Sequence, residues 1–362
     1  MQEERYARQV SLPGFGHGAQ SALGSARVLV IGAGGLGSSV IPALAAAGVG
    51  TIGIIDDDIV ETSNLHRQLL HSPADVGSPK VASAAASIAA LNPSVTVTPH
   101  GERLTSDNAA ELFADYDLVI DGSDNFATRY LANDQAVLSN LPLVWGAVSQ
   151  YGGQAGVAWH ERGPQYRDLF PAPPAPGTVL SCAEGGVLPT TVAVIGAILA
   201  TEAIKIITGV GEPLIGRVTT YDALTGSFRE LSYARDPAAA PITALIDYDA
   251  FCGVPAVRDT VTATELAAEL ARGRTPLLLD VREEWEASIA TLPDAVLVPL
   301  GYLEAELDGV DPETEIVAYC HHGIRSASAL ALLRERGFAN TRHLEGGIDS
   351  WSRTVDPRVE RY

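Results

Sequence analysis

Two groups of residues in this 362-residue sequence have the types and spacing that chemistry requires. The first is Cys320-His321-His322-Gly323-Ile324-Arg325-Ser326, directly after the apolar run Glu315–Tyr319. A cysteine set between a strand and a helix faces successive backbone N–H groups and the positive helix end, which favours a thiolate or persulfide. Arg325 reinforces the anion and fixes the loop. Phosphatases of related design use a longer Cys-to-Arg loop to admit phosphate, so this tighter ring fits sulfur. His321 and His322 either tune the approach of a sulfur donor or are solvated loop residues. The second group is Gly32-Ala33-Gly34-Gly35-Leu36-Gly37, between the apolar run Arg27–Ile31 and an Ala-rich stretch. Gly32, Gly34, Gly35 and Gly37 let backbone N–H groups approach phosphates at a helix N-terminus. Asp56 lies about 20 residues on, where an acidic residue holds a ribose hydroxyl.

To that point an NAD-dependent oxidoreductase is the natural reading. The next residues favour nucleotidyl transfer: Asn64-Leu65-His66-Arg67-Gln68, then Lys80, then Asp121-Gly122-Ser123-Asp124-Asn125. Hydride transfer has no use for an Arg, a Lys and an Asp around the phosphates. Transfer of a nucleotidyl group uses cations on the leaving pyrophosphate and a carboxylate for Mg²⁺.

The elements that must hold these residues are legible as alternation. Strands over Arg27–Ile31, Thr51–Ile55, Val95–Pro99 and Leu118–Ile120 alternate with helices over Ser38–Ala47 and Lys80–Leu91, which marks an α/β domain with a largely parallel sheet. The pattern persists to about Tyr233. A Pro- and Ala-rich stretch follows, read as a linker over 236–260. A second α/β block carries helices Thr264–Ala271 and Ser326–Arg336 and strands Pro276–Asp280, Ala295–Pro299, Glu315–Tyr319 and Thr341–Leu344. The predicted organisation is therefore 1–235, a linker over 236–260, and 261–362.

Composition narrows the partners. Hydrophobic residues make up 46 % of the sequence, enough for sizeable cores, and the net charge of -20 opposes a nucleic-acid backbone or an anionic membrane. The N-terminus has no apolar leader segment, so a cytoplasmic location is expected. The apolar stretch Val192–Ile207 contains Glu202 and Lys205 and reads as a buried helix rather than a membrane span. Three cysteines, Cys182, Cys252 and Cys320, are too few and too scattered for a disulfide framework. Cys182 sits in a Pro- and Gly-rich setting that suits a loop better than a core.

Arg5-Tyr6-Ala7-Arg8-Gln9, the Gly32–Gly37 turn, Asp56-x-Asp58, Ser63-Asn64-Leu65-x-Arg67-Gln68, Lys80 and Asp121-Gly-Ser-Asp124-Asn125 together resemble the MoeB/ThiF family, relatives of ubiquitin-activating enzymes. The resemblance implies a Rossmann-like adenylation domain. It implies that Asp56 holds the ATP ribose, that Arg67 and Lys80 bind phosphates, that Asp58 and Asn64 complete the nucleotide site, and that Asp124 acts through Mg²⁺. Arg8 would reach the γ-phosphate of a neighbouring subunit's ATP, which requires a homodimer. By the same resemblance Cys182, in Ser181-Cys182-Ala183-Glu184-Gly185, is a second catalytic thiol. Many members carry two Cys-x-x-Cys pairs for structural zinc. Here Gln165 and Asp168 stand at the first pair, and Arg235 to Pro241 occupies the second, so no structural zinc is expected.

Residues 260–362, with Asp280-Val281-Arg282, the cysteine loop and Gly346-Gly347-x-x-x-Trp351, resemble a small α/β rhodanese domain, departing from it after Trp285, where the usual Gly-His-Ile is missing. The combination resembles the MoeZ-type family of fused adenylyltransferase/sulfurtransferases. It implies adenylation of the C-terminal glycine of a ubiquitin-like sulfur-carrier protein ending in Gly-Gly, then sulfur transfer from a Cys320 persulfide, charged by thiosulfate or a cysteine desulfurase. The alternatives are an NAD-dependent oxidoreductase fused to a sulfurtransferase domain, and a scaffold with a degenerate nucleotide site.

Overall fold

A computed structural model of the chain describes residues 2–174, 185–253, 259–307 and 310–362. The chain divides into two compact units, the first running to Tyr248 and the second taking Asp249–Tyr362.

In the first unit the described residues form an eight-stranded sheet. Its strands are β1 (Arg27–Ile31), β2 (Thr51–Ile55), β3 (Thr96–His100), β4 (Leu118–Asp121), β5 (Leu143–Ser149), β6 (Gly152–Ala158), β7 (Arg217–Asp222) and β8 (Ser227–Ser232), in the order β3-β2-β1-β4-β5-β6-β7-β8. The pairings from β3 to β5 are parallel; β6, β7 and β8 extend the sheet antiparallel. β1, β2 and β4 are near-continuous apolar runs because helices cover both faces of a parallel sheet. Val28, Val30, Ile52, Ile54 and Ile120 join the helix Gly35–Ala47 in one buried cluster.

The order of strands positions the chemistry. From β1 the chain first turns to one side, to β2, and later to the other, to β4, so a crevice opens at the carboxyl ends of these strands. The register sets Ile31 beside both Ile55 and Asp121. Gly32, Asp56 and Gly122, each one residue further on, therefore emerge together. The helix Pro189–Thr208, long and apolar enough to be tested as a membrane span, lies in the core. It packs against Gly35–Ala47 so closely that a Cβ on Gly196 would collide with Ser39. Its Glu202 accepts the Leu214 N–H at 2.8 Å and pairs with Lys205.

The second unit holds β9 (Thr260–Val261), β10 (Leu277–Asp280), β11 (Val296–Leu297), β12 (Ile316–Tyr319) and β13 (Thr341–Leu344), all parallel in the order β11-β10-β12-β13-β9. Alternate residues feed two cores. Val317 and Tyr319 pack with Leu266 and Trp351, whereas Ile316, Ala318 and Cys320 pack with Ala329 and Leu333.

Both helices that carry site loops begin earlier than periodicity alone predicts, at Gly35 and Ile324, because their first turns are the functional loops. Part of the expected linker is built onto the first unit. Tyr248 is buried, and its hydroxyl donates to Asp134 at 2.7 Å; burial and that carboxylate push the phenol's pKa up.

The tightest point of the first unit is the glycine turn, where a Cβ on Gly37 would collide with the Gly32 carbonyl oxygen. Gly37→Ala is expected to cost at least about 2 kcal/mol of stability. Gly24→Ala, which meets nothing within 4 Å, is expected to be neutral or to gain up to about 1 kcal/mol from helix propensity. Denaturant titration of the two variants measures both.

Candidate active sites

The nucleotide-type site grows from the β1 turn. Gly32 takes φ +90°, and a side chain there would press on the Gly122 carbonyl at 3.2 Å. The loop after β4 thus runs directly beside the turn. Asp56, at the end of β2, accepts the N–H of Ala33 at 2.7 Å and that of Asp58 at 2.9 Å. Burial pushes the Asp56 carboxyl upward, while Lys80 and these two N–H groups oppose the rise. Lys80 is itself buried and reaches Asp58 with Nζ at 2.7 Å.

The loop from Glu61 to Gln68 forms the other wall. Asn64 Oδ1 accepts the Glu61 N–H at 3.2 Å, and Arg67 donates to the Ser63 carbonyl at 3.2 Å. The Arg67 side chain passes beside Gly35, 4.0 Å from where a Cβ would stand. In the loop after β4, buried Asp121 is taken up by Ser123 and by Arg129, whose Nε donates at 3.1 Å. Asn125 caps the helix Phe126–Ser139. Asp124 between them is exposed, a hard oxygen donor that fits Mg²⁺ bound largely through water.

Arg8 is the one sequence-predicted nucleotide residue that this arrangement does not bring in. It is exposed on the helix Gln2–Val10, whose Gln9 donates to the Ala47 carbonyl at 2.9 Å. Ala47 ends the 13-residue helix that begins at the glycine turn, so Arg8 stands about 20 Å away along that helix axis.

The two segments where relatives are expected to place zinc cysteines are joined here by hydrogen bonds. Asp168 accepts the N–H of Gln165 at 2.7 Å and the N–H of Asp236 at 2.9 Å. Gln165 accepts from Asn133 at 2.6 Å, and Arg235 donates to the Gly163 carbonyl at 2.7 Å. This clasp occupies the edge that a tetrathiolate site would otherwise hold together.

The sulfur-type site lies at the end of β12. Cys320 is buried, and the Gly323 N–H points at its Sγ at 3.1 Å. The loop carbonyls are drawn away from the sulfur: those of Cys320 and His321 accept the N–H groups of Ile348 and Asp349 at 2.9 and 3.1 Å. A Cβ on Gly347 would collide with both carbonyls, which explains the glycine pair before the helix Gly347–Thr354. Ser326 Oγ lies 3.6 Å from Sγ and donates to the Gly323 carbonyl at 3.0 Å. Arg325 grips Glu286 through both terminal nitrogens, at 2.6 and 2.7 Å. Burial, followed by the charge of His322, pushes His321 down to about 4, so it is neutral near pH 7. Cys182 lies outside the described residues.

Residues 6–240 match the family model described as ThiF family, and residues 262–354 match that of the rhodanese-like domain. A relative from Mycobacterium tuberculosis, described as a probable adenylyltransferase/sulfurtransferase MoeZ, is 47% identical over 371 aligned positions, covering 99% of this chain and 95% of its own. A sulfur carrier protein adenylyltransferase from Thermus thermophilus is 50% identical over 263 positions, covering 69% of this chain and 97% of its own. Among solved structures, that of E. coli MccB has a TM-score of 0.59 at 21% identity, over 66% of this chain and 72% of MccB. That likeness concerns the fold.

Two residues of the nucleotide-type site take no role from the sequence, although Gln68 stands within the Asn64–Gln68 motif. Gln68 is buried against Gly34, and its Oε1 has no partner among the described residues. His71 is buried with Nε2 at 2.9 Å from the Ala33 carbonyl and Nδ1 at 2.8 Å from Ser83 Oγ. A carbonyl only accepts, so Nε2 carries a proton. Ala33 is thus clamped on both sides, its N–H by Asp56 and its C=O by His71. His71→Ala is expected to weaken ATP binding by about 1–3 kcal/mol, the cost of an unsatisfied buried partner. The KM for ATP in pyrophosphate exchange measures it.

Proposed function

The chain belongs to the ThiF family and carries a rhodanese-like domain beside it, and from that premise we infer that it is an adenylyltransferase and sulfurtransferase acting on a ubiquitin-like sulfur-carrier protein. The observation that carries this reading is the pairing, within one chain, of a strand-end glycine turn flanked by a buried lysine with a buried thiol that receives the Gly323 N–H. The NAD-linked alternative has no counterpart in either family match.

In the proposed reaction the C-terminal glycine carboxylate of the carrier attacks the α-phosphorus of ATP, and pyrophosphate leaves. The N–H groups of the glycine turn approach the phosphates, Asp56 takes the ribose, and Arg67 and Lys80 offset charge on the leaving group. Asp124 would hold Mg²⁺, which supplies further charge neutralisation when bound. Arg8 would serve the ATP of a second copy, making the working unit a homodimer.

The Cys320 thiolate attacks the outer sulfur of thiosulfate and expels sulfite, or attacks that of a cysteine desulfurase persulfide and expels the desulfurase thiolate. The terminal sulfur of the Cys320 persulfide then attacks the acyl-adenylate and expels AMP, forming an acyl disulfide. Attack by the Cys182 thiolate on the Cys320 sulfur releases the carrier thiocarboxylate and leaves a Cys182–Cys320 disulfide, which an external thiol reduces. Dividing one difficult acyl transfer into activation and thiolysis is the gain that covalent catalysis offers. The reaction places the protein in the cytoplasm, where thiols stay reduced. It also places it after a reaction that mobilises sulfane sulfur.

The test uses tagged carriers ending in Gly-Gly. Wild-type protein is expected to catalyse carrier-dependent ATP–pyrophosphate exchange. Lys80→Ala or Asp124→Ala should lose about 10²–10³-fold in rate, or about 2.7–4 kcal/mol. Cys320→Ala should keep exchange but gain no sulfur from thiosulfate by intact-mass spectrometry, and Cys182→Ala should keep both and slow thiocarboxylate release. A gain of sulfur that survives Cys320→Ala, or exchange with no Gly-Gly carrier at all, would overturn the reading.

A second expectation concerns the Gln165–Asp168–Asp236 clasp. With no thiolates at that edge, tag-free protein should contain no stoichiometric zinc by elemental analysis; about one zinc ion per chain would contradict it.

A further inference from the structure

Beside Cys320, four charged side chains, Arg325 of its loop among them, form a chain of contacts, and the proposed reaction gives the other three no role. Asp280 grips Arg282, with Oδ1 at 2.8 Å from Nε and Oδ2 at 2.5 Å from Nη2. Glu286 grips Arg325. Arg282 has no solvent exposure and Glu286 is 4% exposed, so the groups that satisfy them set their geometry.

The two pairs are joined by Tyr362. Its hydroxyl accepts from Arg282 Nη1 at 2.7 Å and donates to Glu286 Oε1 at 3.2 Å. The same Glu286 oxygen accepts from Arg325 Nη2 at 2.7 Å. Burial pushes the Glu286 carboxyl up, but Arg325, the Glu283 N–H and the Tyr362 hydroxyl outweigh it and hold it below the usual range. The ring of Tyr362 stacks on His321, the residue after the nucleophile, at 4.2 Å with planes 21° apart. His321 stacks in turn on His322 at 4.0 Å.

The backbone brings Tyr362 here by several ties. After the helix Gly347–Thr354, Ser352 Oγ donates to the Val359 carbonyl at 2.7 Å. Val355 and Val359 pack on the core around Trp351, and Arg361 pairs with Asp349 at 2.9 Å. Asp349 is the residue whose N–H holds the His321 carbonyl. The segment thus meets the sulfur loop at the His321 ring and at Glu286, which anchors Arg325, and reaches the His321 carbonyl only through Asp349.

We propose that Tyr362 is a positioning residue for sulfur transfer: its hydroxyl couples the Asp280–Arg282 pair to the Glu286–Arg325 pair, and its ring fixes His321, so that the Cys320 loop keeps the shape in which the Gly323 N–H faces the sulfur. Tyr362 contacts neither Cys320 nor the sulfur donor in this role. Without the hydroxyl, Nη1 of Arg282 keeps only a 3.5 Å contact to the Glu286 carbonyl, while Nε and Nη2 stay on Asp280 and the Ala290 carbonyl, and Glu286 loses one of its donors. Hydrogen bonds to charged groups are the costly ones to lose.

The inference rests on the sulfurtransferase reading, and the experiment separates the two. Full-length wild type, Tyr362→Phe and Tyr362→Leu are compared by sulfur transfer from thiosulfate, by the rate at which iodoacetamide labels Cys320 (read on the Cys320 peptide), and by NMR titration of the His321 imidazole. Tyr362→Phe keeps the stack, so His321 should still titrate near its low wild-type midpoint. Its kcat and labelling rate should fall about tenfold, the size of one charge-assisted hydrogen bond, with KM for thiosulfate unchanged. Tyr362→Leu should lower both rates at least as far and let the His321 midpoint rise toward the ordinary imidazole range. Wild-type rates in Tyr362→Phe, or a lowered Tm in both variants with kcat and labelling unchanged, would overturn the proposal. Wild type that takes sulfur neither from thiosulfate nor from a cysteine desulfurase persulfide, while the two variants still slow Cys320 labelling, would overturn the sulfurtransferase reading and leave the positioning role standing.

Discussion

A helix presents its first N–H groups to an anion in a tight loop most directly where the backbone before it or beside it comes so close that no side chain fits between them. Both units meet that constraint with glycine at the point of contact. In the first, Gly37 leaves room for the Gly32 carbonyl, and the turn folds tightly onto the helix it opens. In the second, Gly347 leaves room for the carbonyls of Cys320 and His321, which a second helix end then draws off with its own N–H groups. The thiol is left facing donors because the acceptors have been turned elsewhere. Parallel sheets follow from the same requirement, since a strand must run into the loop and a helix must leave it.

A chain with a net charge of -20 can hold an anionic substrate only through local arrangement, and its cations are placed accordingly. Arg129 with Asp121, Arg282 with Asp280, and Arg325 with Glu286 are buried pairs, each joined by further hydrogen bonds. Breaking such a pair strands a charge out of water, so these residues shape the loops rather than trade partners with substrate. Arg325 therefore acts on the sulfur mainly by fixing the loop. The sequence allowed it a direct electrostatic role as well.

The strands and the glycine, lysine and cysteine loops were legible because each is a local pattern. An apolar run, a turn residue and a chemically active side chain fall within a few positions of one another. What was not legible depends on partners far apart in the chain. His71 reaches Ala33 across 38 positions, and Tyr362 reaches Glu286 across 76. In isolation a histidine after two leucines and a tyrosine beyond the last helix have no signature. The clasp at the edge expected to lack zinc is of the same kind: the loss of thiolates was visible, but the use of Asp168 to tie residue 165 to residue 236 required the fold. Tyr248 was hidden differently. It lies in a Pro- and Ala-rich stretch whose composition reads as linker, while one buried phenol anchors it to Asp134.

Lys80 contrasts with the buried arginines in a way that suits the part proposed for it. Its own side chain is 7% exposed, but its partner Asp58 is 68% exposed. A pair half in water gains little, about 0–1 kcal/mol, because solvent screens the attraction and already hydrates the carboxylate. Asp58 can return to water at small cost when a phosphate takes its place. Lys80 cannot follow it, since its stem is packed at the start of the helix Lys80–Leu91 and its N–H is held by the Asp58 carbonyl at 2.9 Å. The cation is thus kept at the mouth of the turn by burial and paired there with a partner it can exchange. Asp56 beside it has the opposite design: both carboxylate oxygens are engaged by backbone N–H groups, so it holds the shape of the turn before any nucleotide arrives.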